Sequence, residues 1–259
     1  MTWTTRPRSD FGALAAIRAG SGSRVILLHG VGLRAEAWGA QIDALATAFE
    51  IVAPDMAGHG QSPRLSPPVT LAAYTDTVAS AMDAPAIVTG HSMGAMIALD
   101  LAIRYPERVT GVAALNAIFR RTSEAAAAVR ARADSLDGKT AGDPSGPLER
   151  WFGAAPSLAA DACREWLTTV DPAGYRDAYA VFAAEDGPSD ATLGGLRCPA
   201  LFLTGGDDPN SMPAMSDAMA ALAPDGQAQT VPGAAHMMPM THAAEVNDTL
   251  RRFFRHCMT

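Results

Sequence analysis

The sequence predicts an α/β fold: a mostly parallel, doubly wound sheet with helices on both faces and an inserted helical segment. Three observations predict it. Short apolar runs alternate with amphipathic stretches through the first 118 residues, the rhythm of strand–helix crossover units. The runs are continuously apolar rather than alternating, as strands buried on both faces require. Over residues 119–193 helical spacing continues with no convincing strand, and the alternation then resumes. The expected organisation is a core of residues 1–118 and 194–259 with a helical insertion at 119–193.

Taken in order, Val25-Ile26-Leu27-Leu28 lies between Gly22 and Gly30 and reads as a buried strand. A helix over 36–49 carries Trp38, Ile42, Leu45 and Phe49 on one face. Ile51-Val52-Ala53 is the next strand, closed by Pro54. A helix follows over 71–82, a strand over 86–89, a helix over 95–104 stopped by Pro106, and a strand over 111–115. Within the insertion, helices are expected at 124–136, 148–152, 158–170 and 174–184. Gly, Pro and Asp clusters at 137–147 and 185–195 mark loops. The core returns with Ala200-Leu201-Phe202-Leu203, a helix at 215–222, a short strand near 228–231 and a last helix at 243–254.

The 259 residues are 48% apolar and 18% charged, which rules out a disordered chain. The net charge of −7, with no basic run, argues against nucleic-acid or membrane-surface binding. Cys163, Cys198 and Cys257 form no CxxC pair, so neither a disulfide framework nor a metal site is suggested, and a reducing compartment is. The start, MTWTTRPRSD, lacks the apolar core of a signal peptide, and no apolar stretch approaches membrane-spanning length. The expectation is a cytoplasmic protein, monomer or homodimer, that acts on a small molecule without a cofactor.

Gly90-His91-Ser92-Met93-Gly94 fits G-x-S-x-G, a nucleophile elbow, with a strand before it and a helix after it. A serine on so tight a turn needs glycine two residues away on each side. At the helix N-terminus its developing negative charge is favoured. The bland reading is a glycine turn in a binding protein. A serine needs a base. Of six histidines, His256 sits in the tail, His91 inside the elbow points away from Ser92, and His29 and His59 lie in glycine loops suited to structural hydrogen bonds. His236, on the loop between the last strand and the last helix, is chosen as the base, with His242 second. The base needs a carboxylate, and Gly205-Gly206-Asp207-Asp208 places two just past a strand's carboxyl end. The oxyanion donors would be the N–H groups of Met93 and of Val31 in the loop after the first strand.

Together His29-Gly30, Asp55-Met-Ala-Gly-His-Gly-Gln-Ser62, Gly90-His-Ser-Met-Gly94, Gly205-Gly-Asp-Asp208 and Gly233-Ala-Ala-His236 resemble the α/β-hydrolase superfamily over nearly the whole chain. The resemblance implies the α/β-hydrolase fold, with the acid closing a G-x-x-D pattern at Asp208. The order is then Ser92, Asp208, His236. It implies structural roles for Asp55 and Ser62, and a helical lid over the site, matching the insertion. Where some relatives carry the acid one strand earlier, this chain reads Leu115-Asn116-Ala117. Leu148-Glu-Arg-Trp-Phe152 and Asp171-Pro-Ala-Gly-Tyr175 resemble the 3-oxoadipate enol-lactonase subgroup, in which a lid Arg-Trp pair faces substrate. That pair maps to Arg150 and Trp151, with Arg150 on a substrate carboxylate. Met215 and Met219 read as core; Met93, Met96, Met237, Met238 and Met240 flank the catalytic loops and are candidates to line an apolar pocket.

The leading expectation is a serine hydrolase of small carboxylic esters or lactones. The alternatives are a C–C bond or amide hydrolase on the same triad, or a ligand-binding protein on a retained scaffold. Met237, where ring-cleavage hydrolases commonly carry tryptophan, disfavours the C–C reading. Serine at position 92 excludes dehalogenases and epoxide hydrolases, which need aspartate there.

Overall fold

A computed structural model describes residues 3–153 and 157–259. Residues 1–2 of the expected core and 154–156 of the expected insertion lie outside the described residues. The chain opens with two short strands, β1 (Ser9–Phe11) and β2 (Leu14–Ala19), that the sequence reading did not anticipate. Their alanine-rich, low-propensity sequence hides them, yet Phe11, Leu14, Ala16 and Ile17 are buried. β3 (Arg24–Leu28) follows, then a 3₁₀ turn at Ala35–Trp38 running into α1 (Gly39–Leu45). The expected 36–49 helix is therefore shorter and split at Gly39. Phe49 still reaches the core, packing edge-on against Phe254 with ring centroids 5.3 Å apart.

The core continues through β4 (Glu50–Pro54), α2 (Leu71–Ala81), β5 (Ala86–His91), α3 (Met93–Arg104) and β6 (Val109–Leu115). Only helices then occur among the described residues up to residue 193: α4 (Ser123–Asp134), α5 (Ser145–Phe152), α6 (Leu158–Thr169), α7 (Pro172–Ala184) and the short α8 (Asp190–Leu193). Thr122, Ser157, Asp171 and Ser189 cap α4, α6, α7 and α8 with side-chain oxygens that accept backbone N–H groups. The alternation resumes with β7 (Ala200–Gly205), α9 (Pro213–Leu222), β8 (Gly226–Val231), a single turn α10 (Met238–Thr241) and α11 (Ala243–His256).

The sheet order is β1-β2-β4-β3-β5-β6-β7-β8, with β1 and β2 antiparallel and β3 to β8 parallel. The continuous apolar runs are explained by burial on both faces. Ile26 and Leu28 join Val78, Leu99 and Phe202 in one layer, while Val25 and Leu27 join Trp38, Ile42, Leu250 and Phe254 in the other. Each such side chain contributes about 1.5–3 kcal/mol. A third cluster, including Leu33, Leu148, Cys163, Trp166, Met237 and Met240, joins α5 and α6 to the loops at the carboxyl end of the sheet. At the start of α7, Gly174 meets Gly58 backbone to backbone: a methyl on Gly174 would lie 2.2 Å from the Gly58 carbonyl oxygen. No helix among the described residues is long and apolar enough to cross a membrane.

Candidate active site

Ser92 sits between β5 and α3 with φ 57° and ψ −121°, a conformation serine holds only where its surroundings impose it. They do so from both sides. A methyl on Gly90 would lie 1.9 Å from the Gly94 carbonyl oxygen, and one on Gly94 would lie 2.1 Å from that of Leu28. Glycine at both positions lets β3, β5 and α3 pack closely enough to force the turn. The Ser92 N–H donates to Leu115 O at 2.9 Å, tying the elbow to β6. Gly30, in the loop after β3, passes directly beside the serine; a methyl there would be 3.1 Å from Ser92 Cβ.

Asp208 follows β7 and His236 follows β8, and the structure brings them together. His236 Nδ1 donates to Asp208 Oδ2 at 2.7 Å, with both side chains buried. Burial by itself would raise the Asp208 carboxyl; the His236 charge and hydrogen bond, with donors from Asn210 and Asn116, outweigh it and hold the group below the usual range. The Nδ1 contact leaves the other imidazole nitrogen, Nε2, free of that carboxylate. No hydrogen bond joins Ser92 Oγ to His236 in this conformation. Asp207 is exposed. The N–H groups of Met93 and Val31 make no hydrogen bond among the described residues.

Neighbouring side chains fix the loops. His91 donates from Nε2 to the His236 carbonyl at 2.8 Å. Burial and the nearby His236 charge push His91 down to about 3, so its ring stays neutral. His29 Nε2 accepts the Met56 N–H and His59 Nε2 accepts the Gly32 N–H, at 2.9 and 3.0 Å, bracing the loop that carries Val31. Asp55 accepts the N–H groups of Ala35 and Gln61 and, with Glu36, grips the Arg8 guanidinium. Ser62 Oγ donates to the Asp55 carbonyl.

Of the two insertion residues singled out, Trp151 stacks on the His236 ring, centroids 6.0 Å apart and planes 28° from parallel. Arg150 is exposed on α5, its guanidinium lying back beside Gly146. Met93, Met96, Met237, Met238 and Met240 are all buried around these loops, and Met219 is buried in the core. A cleft of about 560 Å³ opens between the 58–64 loop and α6, but Ser92, Asp208, His236 and Trp151 do not line it. Its arginines are engaged, Arg34 with Glu165 and Arg64 with Asp177.

Two residues at the site escaped the sequence reading. His91 was set aside as facing away from Ser92, and its use on the His236 carbonyl depends on a loop 145 residues later in the chain. Asn116 entered only as the residue standing where some relatives have an acid; its Nδ2 donates to Asp208 Oδ2 at 2.7 Å. A buried asparagine at the carboxyl end of an apolar strand was the available signal.

Comparison with known proteins agrees with this architecture. The profile described as the alpha/beta hydrolase family matches residues 25–249. The (E)-2-((N-methylformamido)methylene)succinate hydrolase of Acinetobacter baylyi is 35% identical over 238 residues, 90% of each chain. The pimeloyl-[acyl-carrier protein] methyl ester esterase of Chromobacterium violaceum is 30% identical over 255 residues, covering 93% of this chain and 96% of that one. Among solved structures, a thermophilic esterase from Thermogutta terrifontis with malate bound superposes with a TM-score of 0.87 at 26% identity. It covers 98% of this chain and 100% of its own.

Proposed function

This chain belongs to the alpha/beta hydrolase family, and from that membership we propose that it is a cofactor-independent serine hydrolase of a small carboxylic ester or lactone, working through an acyl-enzyme. The observation that carries the proposal is the buried 2.7 Å pair of His236 Nδ1 and Asp208 Oδ2 in an elbow-bearing site with Ser92. His236 Nε2 takes the Ser92 hydroxyl proton as Oγ attacks the carbonyl carbon. The oxyanion is held by the Met93 and Val31 N–H groups, each worth about 2.7–4 kcal/mol of transition-state stabilisation. His236 returns the proton to the leaving oxygen. Water, deprotonated by His236, then cleaves the acyl-enzyme. Asp208 stays ionised throughout, orienting the ring and stabilising its charged form.

The helices of 119–193 act in this reading as a lid. Trp151 shields the His236 face from water, and Arg150 turns to meet a substrate carboxylate. The malate held by a structural neighbour and the succinate in a relative's name support a carboxylate-bearing substrate. A second reading, amide cleavage on the same triad, draws on that same relative, a hydrolase named for a formamido-substituted substrate.

The test is labelling by a fluorophosphonate probe together with hydrolysis of p-nitrophenyl esters, small lactones, amides and carboxylate-bearing esters, for the native protein and Ser92→Ala. Labelling and turnover should both vanish in the variant. Loss of a preference for acidic substrates in Arg150→Ala would support the carboxylate contact. A native protein that neither turns over any substrate nor takes the probe would end the enzymatic reading.

A further inference from the structure

Asn116, the first residue after β6, has φ 49°, a left-handed backbone that asparagine tolerates better than most residues. It is held from three directions. Its N–H donates to Leu203 O on β7 at 2.9 Å, its carbonyl accepts Ser211 Oγ–H at 2.8 Å, and its side-chain Nδ2 donates to Asp208 Oδ2 at 2.7 Å. Oδ2 is the oxygen that also accepts His236 Nδ1–H, whereas Oδ1 accepts the Asn210 N–H at 2.8 Å. Asn116 is fully buried, and its own Oδ1 has no hydrogen-bond partner among the described residues. An unpartnered buried carbonyl costs stability that an apolar side chain of similar size would avoid.

We propose that Asn116 is a positioning residue of the triad, fixing the Asp208 carboxylate so that Oδ2 faces His236 and sharing the negative charge on that oxygen. The inference rests on the reading of Ser92, Asp208 and His236 as catalytic. Two donors on Oδ2 and one on Oδ1 leave the carboxylate no free rotation. Without Asn116, Oδ2 has His236 as its one side-chain donor, more charge gathers on the oxygen facing the imidazole, and the ring's proton is held more tightly. The titratable groups around the couple are few. His91 from β5 donates to the His236 carbonyl and sets its own ring 4.9 Å from the His236 ring, where burial keeps it neutral. Asp207 on the neighbouring turn is exposed, and the face contributed by α5 is the uncharged Trp151.

Two variants test this while respecting the backbone: Asn116→Gly, which accepts the left-handed conformation, and Asn116→Asp, which matches the size and tolerates that φ. The readouts are the His236 ring titration by NMR with ¹³C-labelled histidine, assigned with His236→Gln, and the pH profile of fluorophosphonate labelling. In Asn116→Gly the His236 midpoint should rise and labelling should slow by about tenfold or more at the native optimum, because the base is no longer held in line. In Asn116→Asp the His236 signal should follow two coupled steps in place of one, since two carboxyl groups in contact titrate as a pair. An unmoved midpoint in Asn116→Gly with a single-step titration in Asn116→Asp would overturn the proposal, whatever happens to Tm or rate, because a purely structural residue would give that result. The NMR titration does not depend on turnover. A native protein that fails to label would therefore count against the hydrolase reading, and the titration would still decide the role of Asn116.

Discussion

Ser92 keeps its left-handed φ because its neighbours leave no room for the relaxed alternative, and Gly94 is where that constraint is tightest. Alanine there would press a methyl onto the Leu28 carbonyl, which is fixed in the middle of the sheet. Gly94→Ala should cost at least about 3 kcal/mol in urea unfolding and abolish probe labelling. Near-native stability with full labelling would mean the elbow relaxes in a way this packing does not allow. At this scale the sequence was informative wherever chemistry dictates a pattern. G-x-S-x-G and a histidine between the last strand and helix were readable because spacing and backbone sterics demand them. Asp207 and Asp208 could not be separated by their residue types alone, since either carboxylate could cap the turn. Asn116 and His91 were opaque because their roles arise from contacts 92 and 145 residues away in the chain.

Among the elements, a long buried apolar run or a strong amphipathic period made most of them legible, and β8 and α4 were found without either. β3, β5, β6 and β7 were found within a few residues, whereas β1 and β2 were missed because alanine and arginine in a strand carry little signal. The helix expected at 36–49 split because Gly39 and the tight turn at Ala35–Trp38 interrupt a period that the apolar residues alone suggested. The helices between β6 and β7 were legible as helices, but their seat on the core was not. That seat includes the close approach of Gly174 to Gly58 and the packing of Leu148, Cys163 and Trp166 with Met237 and Met240. Gly174→Ala should lift the start of α7, raising KM more than it lowers kcat and speeding proteolysis within residues 119–193, with little change in the unfolding of the core. A loss of core stability as large as that of Gly94→Ala would show that the insertion does not respond independently.

Across the whole molecule, acid is the condition to which the structure is most exposed. Burial, helped by neighbouring histidine charge, pushes His59 and His91 from the usual 6.5 down to about 3. Between those values the unfolded chain binds protons that the native state refuses, so stability is lost as pH falls from about 6.5 towards 3. Asp55, Glu36 and Asp208, held below the usual carboxylate range, act with the same sign: their contribution is lost as pH falls through their lowered folded values. Calorimetry should show Tm dropping steadily between pH 6.5 and 4, with a shallower slope in His59→Gln; a flat Tm would contradict the neutral, buried imidazoles. The helical segment that separates β6 from β7 carries a different consequence. Those two strands are parallel neighbours, and between them the Arg120 N–H donates to the Asp186 carbonyl at 3.0 Å, so the helical segment from 120 to 186 leaves the core and returns to it at almost the same place. The entropy of closing such a loop grows only with the logarithm of its length, about 0.6 kcal/mol for each doubling. Descendants of this chain can therefore lengthen, shorten or replace these helices by recombination at that one junction while the sheet beneath is inherited intact.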